Sequence, residues 1–232
     1  MKHLILIAFL TISILSFSQN DNGSTMQAAG QSMGRLRVTM PSTDQFAESP
    51  DASGSPFFLD RWMKSTLVLM DGKTQVGLLI KLDLFENKVY FLDESGNENI
   101  STTPIREVIL IDTLNQGTYR FIHSTAIKTS GAETGWYQLL CAGNVQLYKK
   151  IIKALPRSSS QPLEEEIKPL ETSVQFFLLI NENLLKIKKV KDIPELIGEK
   201  KTQLQEYSRS KNLNGKSEKD MIELVEYYNS LK

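Results

Sequence analysis

The segment Gly30–Gly34 is the first arrangement in this chain that could do chemistry, because it places Ser32 in a G-x-S-x-G motif. Such a motif acts as a nucleophile elbow when a buried strand and a following helix hold the serine in a strained turn. The residues before it, 19–29, are small and polar and contain no strand-like run. Beyond the first few residues, His123 is the only histidine available as a base. We therefore interpret the motif as a chance match, and an esterase activity abolished by Ser32→Ala would contradict this interpretation.

His123 is the second candidate for acid–base or metal chemistry. It alternates with Tyr119 and Phe121 in a strand-like run, so the three side chains share one face. A histidine needs an orienting partner to do chemistry, and a structural or rim position is the interpretation that the sequence favours. The chain has no H-E-x-x-H or C-x-x-C motif, so a zinc site would lack nitrogen and sulfur ligands.

Cys141 is the only cysteine of the chain, so no intramolecular disulfide can form and a hydrophobic core must supply the stability. It lies in the apolar, strand-like run 135–141, without an adjacent His or Arg to lower its pKa. We predict a buried, unreactive thiol.

The acidic segment Asp93–Asn99 presents oxygen atoms at alternate positions, as calcium-binding loops do. An EF-hand loop that starts at Asp93 needs glycine at its sixth position and glutamate at its twelfth. Those positions hold Glu98 and Pro104. The segment therefore predicts a hairpin turn, and calcium is not expected to shift the melting temperature.

The remaining charged residues are interpreted as solvated. Nothing in the sequence places the carboxylates of Asp83 and Glu86 in a cleft, so we predict that both are turn charges exposed to water. A basic cluster near the C-terminus is interspersed with acidic residues, which favours a solvated face over a nucleic-acid-binding stripe. The cluster consists of Lys186, Lys188, Lys189, Lys191, Lys200 and Lys201. The sequence therefore predicts no catalytic, cofactor-binding or metal-binding residue.

The composition is that of a globular protein. Of 232 residues, 41% are hydrophobic and 23% charged, which excludes collagen-like, disulfide-stapled and wholly disordered chains. Lys and Arg number 27, as do Asp and Glu. A formal net charge of zero gives no reason to expect a long-range field for nucleic acid or acidic lipid.

The first 18 residues have the layout of a secretory signal peptide. Lys2 precedes the apolar run Leu4–Leu15, and the small residues Ser16 and Ser18 fit a cleavage site before Gln19. The apolar run is shorter than the roughly 20 residues that a transmembrane helix needs. We predict cleavage near Ser18–Gln19 and a periplasmic or extracellular protein without a transmembrane span.

The chain after the signal peptide is predicted to have three parts. Residues 19–55 form a flexible, low-complexity leader, residues 56–190 an antiparallel β domain with a mobile loop at 156–172, and residues 191–232 a helical end. The turn residues Asp71–Gly72 and Gly96–Asn97 separate strand-like runs, which predicts hairpins. In the helical end, Ser217–Asp220 has the Ser-x-x-acid spacing of a helix N-cap. The helix predicted after it has one apolar stripe, formed by Met221, Leu224, Val225, Tyr228 and Leu231. The predicted fold class is therefore α+β, with an antiparallel β-sheet or small barrel-like domain on which C-terminal helices pack.

Several stretches of this chain together resemble a family of uncharacterised exported proteins of Bacteroidota-type bacteria. The resemblance spans roughly Gly54 to Leu231 and rests on Gly54–Leu59, the Asp71–Gly72 turn, Trp136–Leu140, Val145–Lys150 and Glu226–Leu231. It implies an exported protein. The family has no established activity, so the resemblance implies no functional residues.

Three hypotheses for function follow from the sequence. The first is a non-enzymatic binding or structural module of the cell envelope whose partner is an envelope protein or a glycan. Its candidate contact residues are the aromatic side chains Trp62, Trp136, Tyr137, Tyr227 and Tyr228. The second is an exported hydrolase that uses a pair of carboxylates, as glycosidases do. The third is a carrier of a small ligand inside a barrel cavity.

Overall fold

A computed structural model describes residues 36–39, 52–156 and 168–231 of the chain. This part has an α+β fold, as predicted, with an eleven-stranded antiparallel sheet, a two-stranded parallel sheet and three α-helices. The G-x-S-x-G segment Gly30–Gly34, interpreted as a chance match, and the predicted signal peptide and cleavage site lie outside the described residues. Within those residues, no helix combines the length and the apolar character needed to cross a bilayer.

Thirteen strands precede the helices in chain order. They are β1 (Val38–Thr39), β2 (Ala52–Ser53), β3 (Met63–Leu69), β4 (Thr74–Leu82), β5 (Val89–Leu92), β6 (Glu98–Ser101), β7 (Ile105–Asp112), β8 (Gly117–His123), β9 (Trp136–Cys141), β10 (Gln146–Ala154), β11 (Lys168–Pro169), β12 (Glu171–Ile180) and β13 (Asn183–Ile187). The helices are α1 (Asp192–Ile197), α2 (Lys201–Ser210) and α3 (Glu218–Ser230). A 3-10 helix, Ser124–Ala126, follows β8.

The two hairpins predicted from turn residues are confirmed. β3 and β4 pair antiparallel around Asp71–Gly72, and Gly72 has the positive φ of 86° that such a turn requires. β5 and β6 pair around Gly96–Asn97, where the Asp93 carboxylate accepts hydrogen bonds from the backbone N–H groups of Ser95 and Asn97. The hairpin turn predicted over Asp93–Asn99 is therefore present.

The order of strands in the large sheet is β1-β6-β5-β4-β3-β7-β8-β9-β10-β12-β13. Its two ends are β1 and β13, and among the described residues no pairing joins these two strands. The closure of the sheet into a barrel is therefore not shown. The antiparallel sheet and the helices after it are confirmed.

The link between β6 and β7 requires the sheet to curl. β6 ends at Ser101 and β7 begins at Ile105, yet β5, β4 and β3 lie between these two strands in the sheet. In a flat sheet the two strands would be about 19 Å apart. Four residue steps span at most about 14 Å even when fully extended. The short connection Thr102–Pro104 therefore lies across one end of a strongly curled sheet.

The structure differs from the predicted domain boundaries at two points. Part of the predicted leader 19–55 belongs to the sheets, because β1 pairs with β6 and β2 pairs with β11. The predicted mobile loop 156–172 contains β11 and the start of β12. The run Leu36–Met40 is the one strand-like stretch in the predicted leader, and β1 lies within it. The partners of β1 and β2 are distant in sequence, so no local signal identified these pairings. Residues 19–35, 40–51 and 157–167 lie outside the described part.

Apolar side chains form clusters on both faces of the sheet. One cluster fills the curl of β3–β9 and includes Leu67, Val108 and Leu110, which are completely buried. Another lies on the opposite face around Tyr137 and Phe177. Each fully buried aliphatic side chain contributes about 1.5–3 kcal/mol to folding, so the stability comes from these clusters.

The helices cover β9–β13 through a third apolar cluster. The stripe predicted for α3 is confirmed, because Met221, Leu224 and Val225 are completely buried against the sheet and the other helices. The predicted N-cap is also confirmed, since the Ser217 hydroxyl accepts a hydrogen bond from the Asp220 backbone N–H at 3.2 Å. Gly198 ends α1 with a φ of 74°.

Candidate functional site

Two hollows flank the connection Thr102–Pro104 at the curled end of the sheet. We call them the His123 hollow, of about 320 Å³, and the Arg37 hollow, of about 420 Å³. Residues 102–104 line both hollows, so the connection forms the wall between them. The return of β7 to the side of β3 thus creates a two-part surface from segments that are distant in sequence.

The His123 side chain is oriented by the first turn of the 3-10 helix. Its Nδ1 atom lies 2.8 Å from the Thr125 hydroxyl and accepts from the Thr125 backbone N–H at 3.4 Å. A backbone N–H can only donate, so Nδ1 is an acceptor and the neutral ring carries its proton on Nε2. Burial lowers the pKa of His123 below its ordinary value, so the imidazole is neutral at pH 7. The ring therefore offers an Nε2–H donor.

The wall behind His123 is rigid. The Trp136 ring contacts the imidazole edge-on, with 5.0 Å between ring centroids, and its Nε1–H donates to the Asn87 carbonyl at 3.3 Å. Gly135 has a φ of 126°, and a Cβ atom there would lie 2.6 Å from the Asn87 side-chain oxygen. The Ser124 hydroxyl also accepts from the Gly135 N–H at 3.2 Å. These contacts lock the loop after β8 against the turn between β4 and β5.

The His123 hollow combines apolar side chains, such as Val89 and Ile105, with polar side chains that are mostly uncharged. Besides His123, its lining includes the hydroxyl-bearing residues Ser101, Thr102, Thr103 and Thr125 and the amide-bearing residue Asn87. The single cation of the lining, Lys88, lies 2.7 Å from the Glu86 carboxylate. Among the described residues, no acidic side chain belongs to the lining. Hydroxyl and amide groups both donate and accept hydrogen bonds, so the hollow matches a ligand that does the same.

The Asp83 carboxylate does not occupy the position predicted for it. It is only 3% exposed rather than solvated, and its Oδ1 atom accepts from the backbone N–H groups of Phe85 and Glu86, both at 2.8 Å. Burial raises the pKa of Asp83, and burial together with nearby carboxylates raises the pKa of Tyr90 to about 12. Glu86 is exposed, as predicted. Asp83 therefore shapes the turn that carries Asn87.

The Arg37 hollow has a different character. The Arg37 backbone is held at both polar atoms: its N–H donates to the Thr103 hydroxyl at 2.6 Å, and its C=O accepts from the Thr102 N–H at 3.0 Å. Lys73 and Asp71, both in the lining of the hollow, form an ion pair at 2.9 Å. The Lys73 hydrogen bond holds the pKa of Asp71 low, so this pair is ionised and compensates its own charge.

The aromatic side chains predicted as candidate contact residues lie in different environments. Trp136 and Tyr137 are 4% and 0% exposed and belong to the core, and Trp136 also lines the His123 hollow. Trp62 is half-buried beneath the Lys81 ammonium group. Tyr227 stacks on Tyr207 of α2 at 3.7 Å, which joins two helices.

Cys141 is buried, as predicted, and burial raises the pKa of its thiol. Over the described ranges, no group of three or more His, Cys, Asp or Glu side chains is arranged to bind a metal ion. The hollows themselves were not predicted. A local signal existed only for the His123–Thr125 contact, whose partners are two residues apart in sequence.

Comparison with protein-family models, with curated proteins and with solved structures gives no match for this chain. The geometry of the two hollows therefore carries the functional argument.

Proposed function

We propose that this protein is a non-enzymatic binding module that holds a neutral, hydroxyl-rich ligand, a glycan, in the His123 hollow. The observation that carries the proposal is the neutral His123 imidazole, oriented by Thr125 and surrounded by hydroxyl and amide groups. Sugar hydroxyl groups both donate and accept hydrogen bonds, so they complement such a lining. A volume of about 320 Å³ lies at the small end of the range for ligand pockets.

Other ligand classes fit the His123 hollow less well. Nucleic acid needs several unpaired cations for its phosphates, whereas Lys88 is paired with Glu86. The alternative hydrolase requires two carboxylates in one cleft; the lining of the Arg37 hollow contains one, Asp71, and that of the His123 hollow contains none.

The proposal includes an exported location and a role in the cell envelope. It is supported by the layout of residues 1–18 and by the resemblance to exported proteins described above. The Thr102–Pro104 connection supports a barrel-like curl for β3–β7, because its length brings β6 close to β7. Secretion of the full chain with loss of residues 1–18, measured by mass spectrometry of the exported product, tests the location.

Titration of the protein with neutral oligosaccharides, followed by NMR, tests the binding function. Thr125→Val removes the hydroxyl group that contacts His123 but keeps the side-chain shape, and we expect it to weaken binding about fivefold, as loss of one hydrogen bond does. Thr172→Val on the exposed face of β12 is the matched control and should leave the affinity unchanged. Binding that is insensitive to Thr125→Val, or shift changes confined to another surface, would refute the proposal.

A further inference from the structure

The two hollows differ in charge. In the Arg37 hollow, the Lys73 and Asp71 side chains neutralise each other at 2.9 Å. Among the described residues, the exposed Arg37 guanidinium group has no ion-pair partner. The lining of the Arg37 hollow therefore carries one uncompensated positive charge, whereas Lys88 at the His123 hollow is compensated by Glu86.

The backbone that carries the Arg37 side chain is held in place by hydrogen bonds. Both backbone polar atoms of Arg37 are hydrogen-bonded to the connection Thr102–Pro104, which is the wall shared with the His123 hollow. The buried Leu69 and the half-exposed Met70 give the Arg37 hollow an apolar side. A guanidinium group beside an apolar surface suits a planar monoanion, because its fork of N–H donors matches a carboxylate.

We propose that the ligand is an acidic oligosaccharide, in which a uronic-acid carboxylate binds Arg37 while a neighbouring neutral sugar unit occupies the His123 hollow. This inference rests on the proposed function and adds the charge of the ligand to it. The shared wall supports a single ligand, because a chain of linked sugars can cross Thr102–Pro104 and contact both hollows. One uncompensated charge on the protein matches one carboxylate on the ligand.

Isothermal titration with two matched trisaccharides tests the inference. One contains a single uronic acid beside neutral sugars, and in the other its carboxylate is reduced to an alcohol, so that only the charge and its hydrogen bonds differ. We expect the acidic trisaccharide to bind about fivefold more tightly in low salt, as an exposed charge-assisted pair permits. The preference should shrink in 0.5 M salt because the site is open to solvent.

The matched variants are Arg37→Gln and Arg209→Gln. Arg37→Gln keeps the backbone bonds to Thr102 and Thr103 and should abolish the preference, so that the variant binds the two trisaccharides with equal affinity. Arg209 is exposed on α2, so its variant should keep the preference. A melting curve like that of the wild type establishes that each variant is folded.

The possible results separate the two proposals. The charge inference is wrong, and the binding function stands, in either of two cases. In the first, the wild type binds both trisaccharides equally well; in the second, Arg37→Gln still binds the acidic trisaccharide more tightly than the reduced one. If neither trisaccharide binds, the proposed function fails as well. Tighter binding of a monosulfated trisaccharide than of the uronic-acid trisaccharide would overturn the assignment to a carboxylate.

Discussion

Replacing Asn229 by alanine should loosen the last helix from the sheet. The Asn229 side chain forms two hydrogen bonds with Val145, in the turn between β9 and β10. Its Oδ1 accepts from the Val145 N–H at 3.0 Å, and its Nδ2 donates to the Val145 C=O at 2.8 Å. Nδ2 also lies 3.4 Å from the Ala142 carbonyl. Val145 is only 2% exposed, so alanine at position 229 leaves two polar atoms of a buried residue without partners.

The magnitude follows from those two atoms. A buried, unsatisfied backbone group costs about 1–3 kcal/mol. Because Ala142 and Gly143 beside the contact are exposed, water can partly replace the amide, and we expect a total loss of about 2–4 kcal/mol. For a folded unit of this size, the melting temperature should then fall by about 5–12 °C. Circular dichroism melts and urea titrations of the full chain measure the loss.

Two further variants make the reasoning refutable. Ser230→Ala is the control, because the exposed Ser230 hydroxyl bonds only to Tyr227 of its own helix. Gly143→Ala disturbs the same contact from the side of the sheet, because the added Cβ would clash with the Asn229 amide. Since both changes damage one contact, the double variant should lose clearly less stability than the two single losses combined. A melting temperature of Asn229→Ala within about 2 °C of wild type would refute the argument.

Two more predictions concern the loops behind the His123 hollow. Asp83→Asn keeps the Oδ1 acceptor but removes the buried charge. Because burial raises the pKa of Asp83, the wild type loses stability as the pH rises from below 3.8 through the folded pKa. The variant should therefore have a higher melting temperature than the wild type at pH 7, and the difference should be smaller at pH 4. A lower melting temperature of the variant at pH 7 would contradict this sign. Gly135→Ala should lower the free energy of unfolding by about 1–3 kcal/mol, because the residue has a φ of 126° and the new Cβ would clash with Asn87. Gly131→Ala in the same loop is the control: its new Cβ meets open space, so the melting temperature should change little. Equal melting temperatures of the two glycine variants would contradict this prediction, because they would mean that Asn87 moves to accommodate the new Cβ.

Local patterns predicted most of the secondary structure. The turn at Asp71–Gly72, the N-cap at Ser217 and the apolar stripe of α3 each depend on residues within a few positions of one another, and all three are confirmed. The burial of Cys141 was predicted from an apolar run in the same way. Such signals are readable because a turn, a cap or an amphipathic face is specified by its own residues.

The sequence by itself determined the antiparallel hairpins, the helical end and the α+β class, because hydrophobic periodicity and turn residues act over short stretches of chain. Only the tertiary structure decided that β7 returns to β3, that β1 pairs with β6 and that the Asp83 carboxylate is buried. These features depend on which strands meet, and strand pairing is set by the packing of side chains distant in sequence. The two hollows belong to this second group, because their shared wall, Thr102–Pro104, reaches His123 and Arg37 only when the sheet curls.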